Sequence, residues 1–383
     1  PLLAPPAGFD PFHYRDPVVF RDPDTGLFHL LVSALLNPYP VAGRGGCLDR
    51  WTSEDLARWT HAPEPFLIPG FADVPECPDY FFWNAWYYLV FSNGGVARYR
   101  MSRRPLGPWS RPEADALDGG FSRVMKTASF AGNRRIGVSW VGGRVGGKDN
   151  GAQEFAGNAV FRELVQHDDG TLGTRFLSEM LPPEPTASCP APLALTPGAE
   201  AAPGRVRLRP EAGLAAARLD SVPANFRLTA DIPRASGRGL FGLRLRYGSP
   251  DAAGRIRAGY DLSFDLTEQA LRLNAQGLSR LGPDARAPFR LDVIAWDSLI
   301  DVCLNNRRCL IDRCPEQRGG SVLFSAKAEK NALMVGDSGN DVRNVQQRLI
   351  ELKYLSGKAD GYFGSNTEAA VKAFQKRNGL TTD

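Results

Sequence analysis

The chain has 383 residues, with 46 Lys and Arg against 42 Asp and Glu, for a formal net charge of +4. That balance is too mild for a nucleic-acid-binding surface, and no run of about eighteen apolar residues is present to cross a membrane as a helix. Gly 40 and Pro 30 beside 43% hydrophobic residues fit many short strands and turns, in a chain long enough for more than one core.

The first informative stretch runs from Arg15 to Glu76. An RDP triplet opens one apolar strand, and about sixty residues later an ECP triplet opens another. After Asp16, the segment PVVFRDPDTGLFHLLVS predicts a strand, a turn at Asp24, Thr25 and Gly26, and a second strand; CPDYFFWNAWYYLVFS after Glu76 is built the same way. Pro17 aligns with Pro78, Phe20 with Phe81 and Ser33 with Ser92, and the units run on to Trp59 and Trp109. Repeats of this kind, each a small sheet closed by an aromatic residue, predict propeller blades. The acidic residues Asp16 and Glu76 are expected at equivalent points of two repeats, at the starts of inner strands that line one channel. Converging carboxylates suit glycoside cleavage, where one protonates the leaving oxygen and others stabilise or capture the sugar cation.

Blade material continues to about residue 182, through RRIGVSWVGGR around Trp140 and FAGNAVFRELVQHDDGTL around Asn158. Lys126 and Trp140 are within plausible reach of the sugar pocket, although buried aromatic strand residues serve as core more often than as ligand contacts. The stretch 183–205, rich in Pro and Ala, predicts an extended connector. From 206 to 326 the alternation in FRLTADI, LRLRY and YDLSFDL predicts a β-sandwich, with Asn305 and Asn306 as a two-residue hairpin turn between SLIDVCL and RRCLIDRC.

At Ala326 the composition changes. Before it the chain uses Arg almost exclusively, with Lys126 and Lys148 as exceptions; after it Lys327, Lys330, Lys353, Lys358, Lys372 and Lys376 crowd together. Val342, Val345, Leu349 and Leu352 are spaced as one helical face, and Ser365 with Glu368 has the pattern of a capping box opening a second helix that carries Val371 and Phe374. Residues 327–383 therefore read as a separate helical module. The six cysteines, Cys47, Cys77, Cys189, Cys303, Cys309 and Cys314, lack paired CxxC spacing, which argues against a zinc site. Cys303, Cys309 or Cys314 could bridge neighbouring strands only if the geometry allowed.

At RDP, ECP and the intervening SEDLARW, the chain resembles glycoside hydrolase family 32, the retaining β-fructosidases that cleave sucrose and fructans. The resemblance implies a mainly β fold: part of a five-bladed propeller followed by a sandwich with a late hairpin. It also implies that Asp16 stabilises the transition state through the fructose hydroxyls, that Arg15 helps bind the sugar and that Glu76 is the general acid/base. Cys77 would be a packing or tuning residue beside the acid/base, and the chemistry needs no metal or organic cofactor. One departure matters. The family's nucleophile lies in a motif resembling WMNDPNG, well over a hundred residues before RDP, whereas Arg15 follows Pro1 by fourteen residues and neither Asp10 nor Asp22 substitutes. The first two blades are thus expected to be missing from this chain, to be supplied by a separate fragment if at all, and the chain alone is expected to be inactive. The sandwich is also expected to stop early, one strand short after LFSA.

The quoted segments VRNVQQRLIELKYL, DGYFG and TEAAVKAFQKRNGL resemble a three-helix peptidoglycan-binding module whose last helix would lie beyond Asp383. Two functions follow: a β-fructosidase acting on sucrose or fructan, or a non-catalytic protein that holds carbohydrate or cell wall. The tail points to a secreted or wall-associated protein, with a cytoplasmic parent as the alternative.

Overall fold

The computed structural model describes all residues except 1–2, 41–42, 183–189, 211–212, 233–238, 249–258, 279–280, 282–287, 318, 329–332, 334, 379 and 381–383. It divides into two compact units, Pro1–Lys327 and Ala328–Asp383.

The first unit opens with three antiparallel sheets that have the strand order of propeller blades. Blade A contains β1 (Phe9–Arg21), β2 (Phe28–Leu36), β3 (Gly46–Ser53) and β4 (Thr60–His61); blade B contains β5 (Glu76–Trp83), β6 (Trp86–Asn93) and β7 (Val96–Ser102). In blade B the fourth position is taken by a segment that makes isolated bridges, Ser110 to Met101 and Ala116 to Arg98. Blade C contains β8 (Ser122–Phe130), β9 (Arg134–Arg144), β10 (Gln153–Gln166) and β11 (Leu172–Phe176). The predicted turn at Asp24 to Gly26 forms because the Asp22 carboxylate accepts from the Asp24 N–H and the Thr25 hydroxyl, while Gly26 adopts φ +76°.

Blades pack face to face, which explains why β2 and β6 are apolar almost throughout rather than alternating. Leu31, Leu48, Leu89 and Phe91 fill the layer between blades A and B, with Phe20, Tyr80 and Trp109 against them. Tyr88, Tyr99, Met125, Leu164 and Leu172 fill the layer between B and C. Complete burial of one such side chain contributes about 1.5–3 kcal/mol, so each layer outweighs the surface ion pairs of the same blades.

The predicted connector is only partly a connector. Residues 183–189, including Cys189, lie outside the described residues, but the following stretch contains β12 (Leu193–Ala194), paired with a sandwich strand, and β13 (Ala199–Ala202), paired with β14 (Arg205–Leu208). Alanine leaves little side chain to show alternation, so this part of the sandwich carries no period-two signal. The sandwich proper has a seven-stranded sheet, ordered β12, β15 (Leu214–Val222), β24 (Gly320–Ala328), β17 (Gly239–Tyr247), β18 (Tyr260–Asp265), β19 (Ala270–Leu273) and β20 (Gln276–Leu278). Its second sheet is ordered β16 (Phe226–Ile232), β21 (Phe289–Trp296), β22 (Leu299–Leu304) and β23 (Arg308–Arg313). Leu245, Leu262, Leu271, Leu291, Val293 and Val302 lie between them.

The strand bearing LFSA is therefore not a loose end. β24 lies inside the seven-stranded sheet with β15 on one side and β17 on the other, and it needs no later strand to complete its pairing. The hairpin after β22 turns at Asn305 and Asn306, both left-handed (φ +54° and +52°), and the Arg307 N–H closes it on Leu304 O. This register sets Cys303 opposite Cys309, yet both thiols are free, as are Cys47, Cys77 and Cys314.

The second unit contains α1 (Asn340–Glu351) and α2 (Ser365–Arg377). Val342, Gln346 and Leu349 are the buried face of α1, whereas Leu352 falls just past the helix and is 39% exposed. The expected capping box does not form: Gly364 occupies the N-cap, Ser365 is already helical, and Glu368 pairs along the helix with Lys372. Gln346 organises the inter-helix loop instead. Its amide donates to Asp360 Oδ1, Tyr362 O and Thr367 Oγ1, and its carbonyl accepts the Gly361 N–H.

Candidate active site

The inner strands β1, β5 and β8 share one irregularity. Each breaks register by one residue at a matching step: between Arg15 and Val18, between Glu76 and Asp79, and between Arg123 and Lys126; β1 has a further shift between Phe9 and Tyr14. The residue after the first of each pair is left-handed: Asp16 at φ +55°, Cys77 at +49° and Val124 at +56°. A bulge of this kind inserts one residue and re-aims the side chains around it. It also corrects the sequence alignment by one position. With Pro17 matched to Pro78, Asp16 is equivalent to Cys77, and Glu76 is equivalent to Arg15; the cross-strand partners agree, Ser33 for Arg15 and Ser92 for Glu76. The two carboxylates are not equivalent residues, but they converge because each lies next to the bulge of its own blade.

Arg15 joins them. Its Nη2 donates to Glu76 Oε1 at 2.8 Å, and its Nε lies 3.8 Å from Asp16 Oδ2. Asp16 Oδ2 also accepts the Cys77 N–H at 3.1 Å, so the blade A carboxylate is fastened to the blade B bulge. Ser33 Oγ donates to Pro75 O at 2.6 Å and fixes the approach to Glu76. The carboxylates remain 25% and 38% exposed, and the Cys77 side chain also hydrogen-bonds Asp16. That exposure leaves both carboxylates within reach of a polyhydroxyl ligand. An ion pair this exposed adds only about 0–1 kcal/mol of stability, so its consequence is orientation. Behind it, Tyr14 donates to Asp49 Oδ2 and accepts from Trp51 Nε1, both at 2.6 Å.

The Cys77 thiol is pushed up to about 11 by burial and then by the neighbouring Asp16 carboxylate. It is therefore protonated near neutral pH and is no nucleophile. Lys126 donates to Pro78 O at 2.6 Å, and Thr127 donates through its N–H and hydroxyl to Asp79 Oδ2, which ties blade C to the ECP segment. Trp140 pairs across the strands with Arg123 and with Ala159. Its contacts are Phe155, edge-on at 5.3 Å, and the Arg123 guanidinium at 5.9 Å. Arg123 itself was not singled out by the sequence: it is blade C's counterpart of Arg15 and Glu76, and the signal was a third repeat, RVM, too divergent from RDP and ECP to stand out. Among the described residues, no group of three or more His, Cys, Asp or Glu is placed to hold a metal ion.

Successive blades followed by a two-sheet sandwich, with carboxylates and arginines beside the bulges of the inner strands, define a propeller-and-sandwich protein built as the family 32 glycoside hydrolases are. The computed fold is similar to fructan 1-exohydrolase IIa from Cichorium intybus in complex with 1-kestose (TM-score 0.56, 16% identity, covering 86% of this chain and 74% of that one). It is also similar to a glycoside hydrolase family 32 protein from Bifidobacterium adolescentis (TM-score 0.52, 14% identity, 84% and 59%). In sequence, 159 residues are 28% identical to sucrose-6-phosphate hydrolase of Escherichia coli, which is 37% of this chain and 31% of that protein; the chain thus spans about a third of this relative's length. Residues 338–383 match the family model described as a putative peptidoglycan binding domain. The resemblance to family 32 carried by RDP and ECP is borne out in the fold, and that of the tail by the family model.

Proposed function

We propose that the chain is the acid/base-bearing part of a retaining β-fructosidase acting on sucrose or fructans. Glu76 protonates the glycosidic oxygen as the bond from the fructosyl anomeric carbon breaks and a carboxylate attacks that carbon. Glu76 then takes a proton from water, which attacks the same carbon, releases fructose and regenerates the carboxylate. Asp16 holds fructose hydroxyls as positive charge develops on the ring, and Arg15 positions both carboxylates and the sugar. Residues 1–383 contain no counterpart of the family's nucleophile motif, so the attacking carboxylate in this proposal lies outside them.

The observation that carries the reading is the bridge from Arg15 to both Asp16 and Glu76, whose carboxylates stay partly exposed. General acid assistance alone gives about 10²- to 10⁴-fold, short of enzymatic glycoside cleavage. The 383-residue chain by itself should therefore release no fructose at an enzyme-like rate, and an added fragment with the two preceding blades should restore release. Turnover by the chain alone that disappears in Glu76→Gln would show that another residue attacks; restored turnover that survives Glu76→Gln would remove Glu76 from its role.

A second reading, binding of carbohydrate or cell wall without turnover, is favoured by the match of residues 338–383 to a putative peptidoglycan binding domain. In it the C-terminal unit attaches the protein to the wall. Sedimentation of the chain with purified peptidoglycan, compared with a chain ending at Lys327, tests it: equal sedimentation of both would sink this assignment.

A further inference from the structure

The hairpin of β22 and β23 carries two cysteines that the chemistry at Asp16 and Glu76 does not use. Cys303 and Cys309 are directly opposed in the antiparallel register, one pair in from Leu304 and Arg308, and both are fully buried. Side chains alternate along a strand, so Asp301, Cys303, Cys309 and Ile311 share the face turned to blade C, where Arg162 reaches Asp301 and Val160 packs on Ile311. Val302, Leu304, Leu310 and Cys314 lie on the other face, in the core between the two sheets. Blade C holds the hairpin in place: Cys309 Sγ donates to Thr174 O at 3.4 Å, and the Thr174 N–H donates to Arg307 O at 2.8 Å. The side chains of Cys303 and Cys309 are in hydrogen-bonding contact with each other.

A single buried cysteine is ordinary packing; two that meet across a ladder are a chemical pair. Directly opposed residues of antiparallel strands have Cα atoms about 4.5 or 5.5 Å apart, according to whether the pair is hydrogen-bonded, and disulfides span about 4.4–6.8 Å. Either setting fits. The Cβ atoms of such pairs are about 4.5–5.5 Å apart, against about 3.5–4.5 Å in a disulfide, so closing the bond asks for a shift of about 1 Å. Cys314 lies on the other face of β23, Cys47 is opposite Ala34 in blade A, and Cys77 sits in the bulge of blade B, so among the described cysteines this is the one opposed pair. We propose that Cys303 and Cys309 are a disulfide-forming pair, joined across the hairpin when the chain is made or kept in an oxidising medium. The two thiols give up two protons and two electrons to the disulfide of another molecule: an Sγ–Sγ bond forms here, the S–S bond of the oxidant breaks, and it leaves as two thiols. Burial in the seated hairpin closes the pair to reagents, so the bond forms before the hairpin docks on blade C and is protected afterwards. The pair does not depend on the chemistry proposed for Asp16 and Glu76.

The test refolds the full chain from urea in a mixture of reduced and oxidised glutathione, and in parallel recovers it from an oxidising secretory compartment, where no refolding step is needed. Free thiols are blocked, and the protein is digested with trypsin without reduction. Arg307 and Arg308 lie between the two cysteines, and Arg313 separates Cys309 from Cys314, so each falls in its own peptide. The expected product is a linked pair of peptides carrying Cys303 and Cys309, lighter by two hydrogens than their sum and about tenfold or more as abundant as any other cysteine pair. Finding it in the secreted material alone suffices, because that chain folds as it is made. Cys314→Ser should retain the linkage, and dithiothreitol should abolish it. Cys303 and Cys309 left blocked as free thiols in both preparations, or linked to Cys189 or Cys314 as often as to each other, would overturn the proposal.

Discussion

Asp16 and Cys77 occupy the same step of successive blades and touch each other: both backbones are left-handed, and the Cys77 N–H donates to Asp16 Oδ2 at 3.1 Å. One bulge presents a carboxylate, and the next presents the amide that orients it. The backbone conformation at residue 77 therefore matters more than its side chain.

Cys77→Gly should keep or raise stability, by up to about 1 kcal/mol, because glycine adopts positive φ without the steric cost of a Cβ. Cys77→Val should lower it by about 1–2 kcal/mol, since a β-branched residue is poorly suited to that region. Urea midpoints of the two variants check this. Sucrose binding that survives in the glycine variant would confine the thiol to packing, while its loss would make the thiol a contact.

Arg15→Ala should change folding stability by no more than about 1 kcal/mol, because its side chain is more than a third exposed and both partners are partly exposed. Binding of a fructoside should fall about tenfold or more, since the side chain orients both carboxylates. Calorimetry and a denaturation curve on the same preparation separate the two effects. A large loss of stability with unchanged binding would make Arg15 a structural clamp.

His29 should make the fold sensitive to mild acid. It stacks on Phe20, neither ring nitrogen has a partner, and burial followed by the nearby Arg50 lowers its pKa, opposed by Asp22. The folded pKa lies below the unfolded value of about 6.5, so the unfolded chain takes up the proton first. Stability is then full above about pH 6.5 and falls as pH drops toward the folded pKa. His29→Phe should show a smaller loss of urea midpoint between pH 7.5 and 5 than the parent; equal losses would clear His29.

Arg162 is the buried cation that fastens blade C to the sandwich. It donates to Asp118 Oδ2 at 2.7 Å and, through both terminal nitrogens, to Asp301 at 2.8 Å. Arg162→Met should destabilise by about 3–5 kcal/mol, because it strands two carboxylates, and adding Asp118→Asn with Asp301→Asn should recover much of the loss. Guanidinium unfolding of the single and triple variants decides; no recovery would mean that the packing of Arg162, rather than its charge, holds the joint.

In the C-terminal unit, Gln346→Leu should cost about 2 kcal/mol or more, since it leaves the buried Gly361 N–H and the loop acceptors without their partner. Circular dichroism at 222 nm reads this directly, because α1 and α2 supply the α-helix among the described residues. An unchanged helix melt would show that the loop holds itself.

The blades were legible because strand, turn and strand recur with aromatic residues at matching points. The sandwich was legible wherever alternation was clear, as in FRLTADI. The one-residue error at the active site had a specific cause: the acidic residues draw the eye, but the prolines and the serine partners carry the register. Bulges leave no period of their own, so left-handed Asp16 and Cys77 could not be read from RDP and ECP. β12 and β13 were lost because alanine and proline show no alternation. The N-cap of α2 was misplaced by one residue because Gly364, without a capping side chain, precedes a serine that matches the pattern better.

β24 is the last strand of the first unit, and it lies between β17 and β15, to which it pairs antiparallel from Gly320 to Lys327. A pull along the axis of β24 would act on that pairing. The antiparallel ladder runs across that axis, so its bonds are loaded together in shear rather than opened one after another like a zip. Loaded in that direction, the strand resists withdrawal with its whole ladder at once.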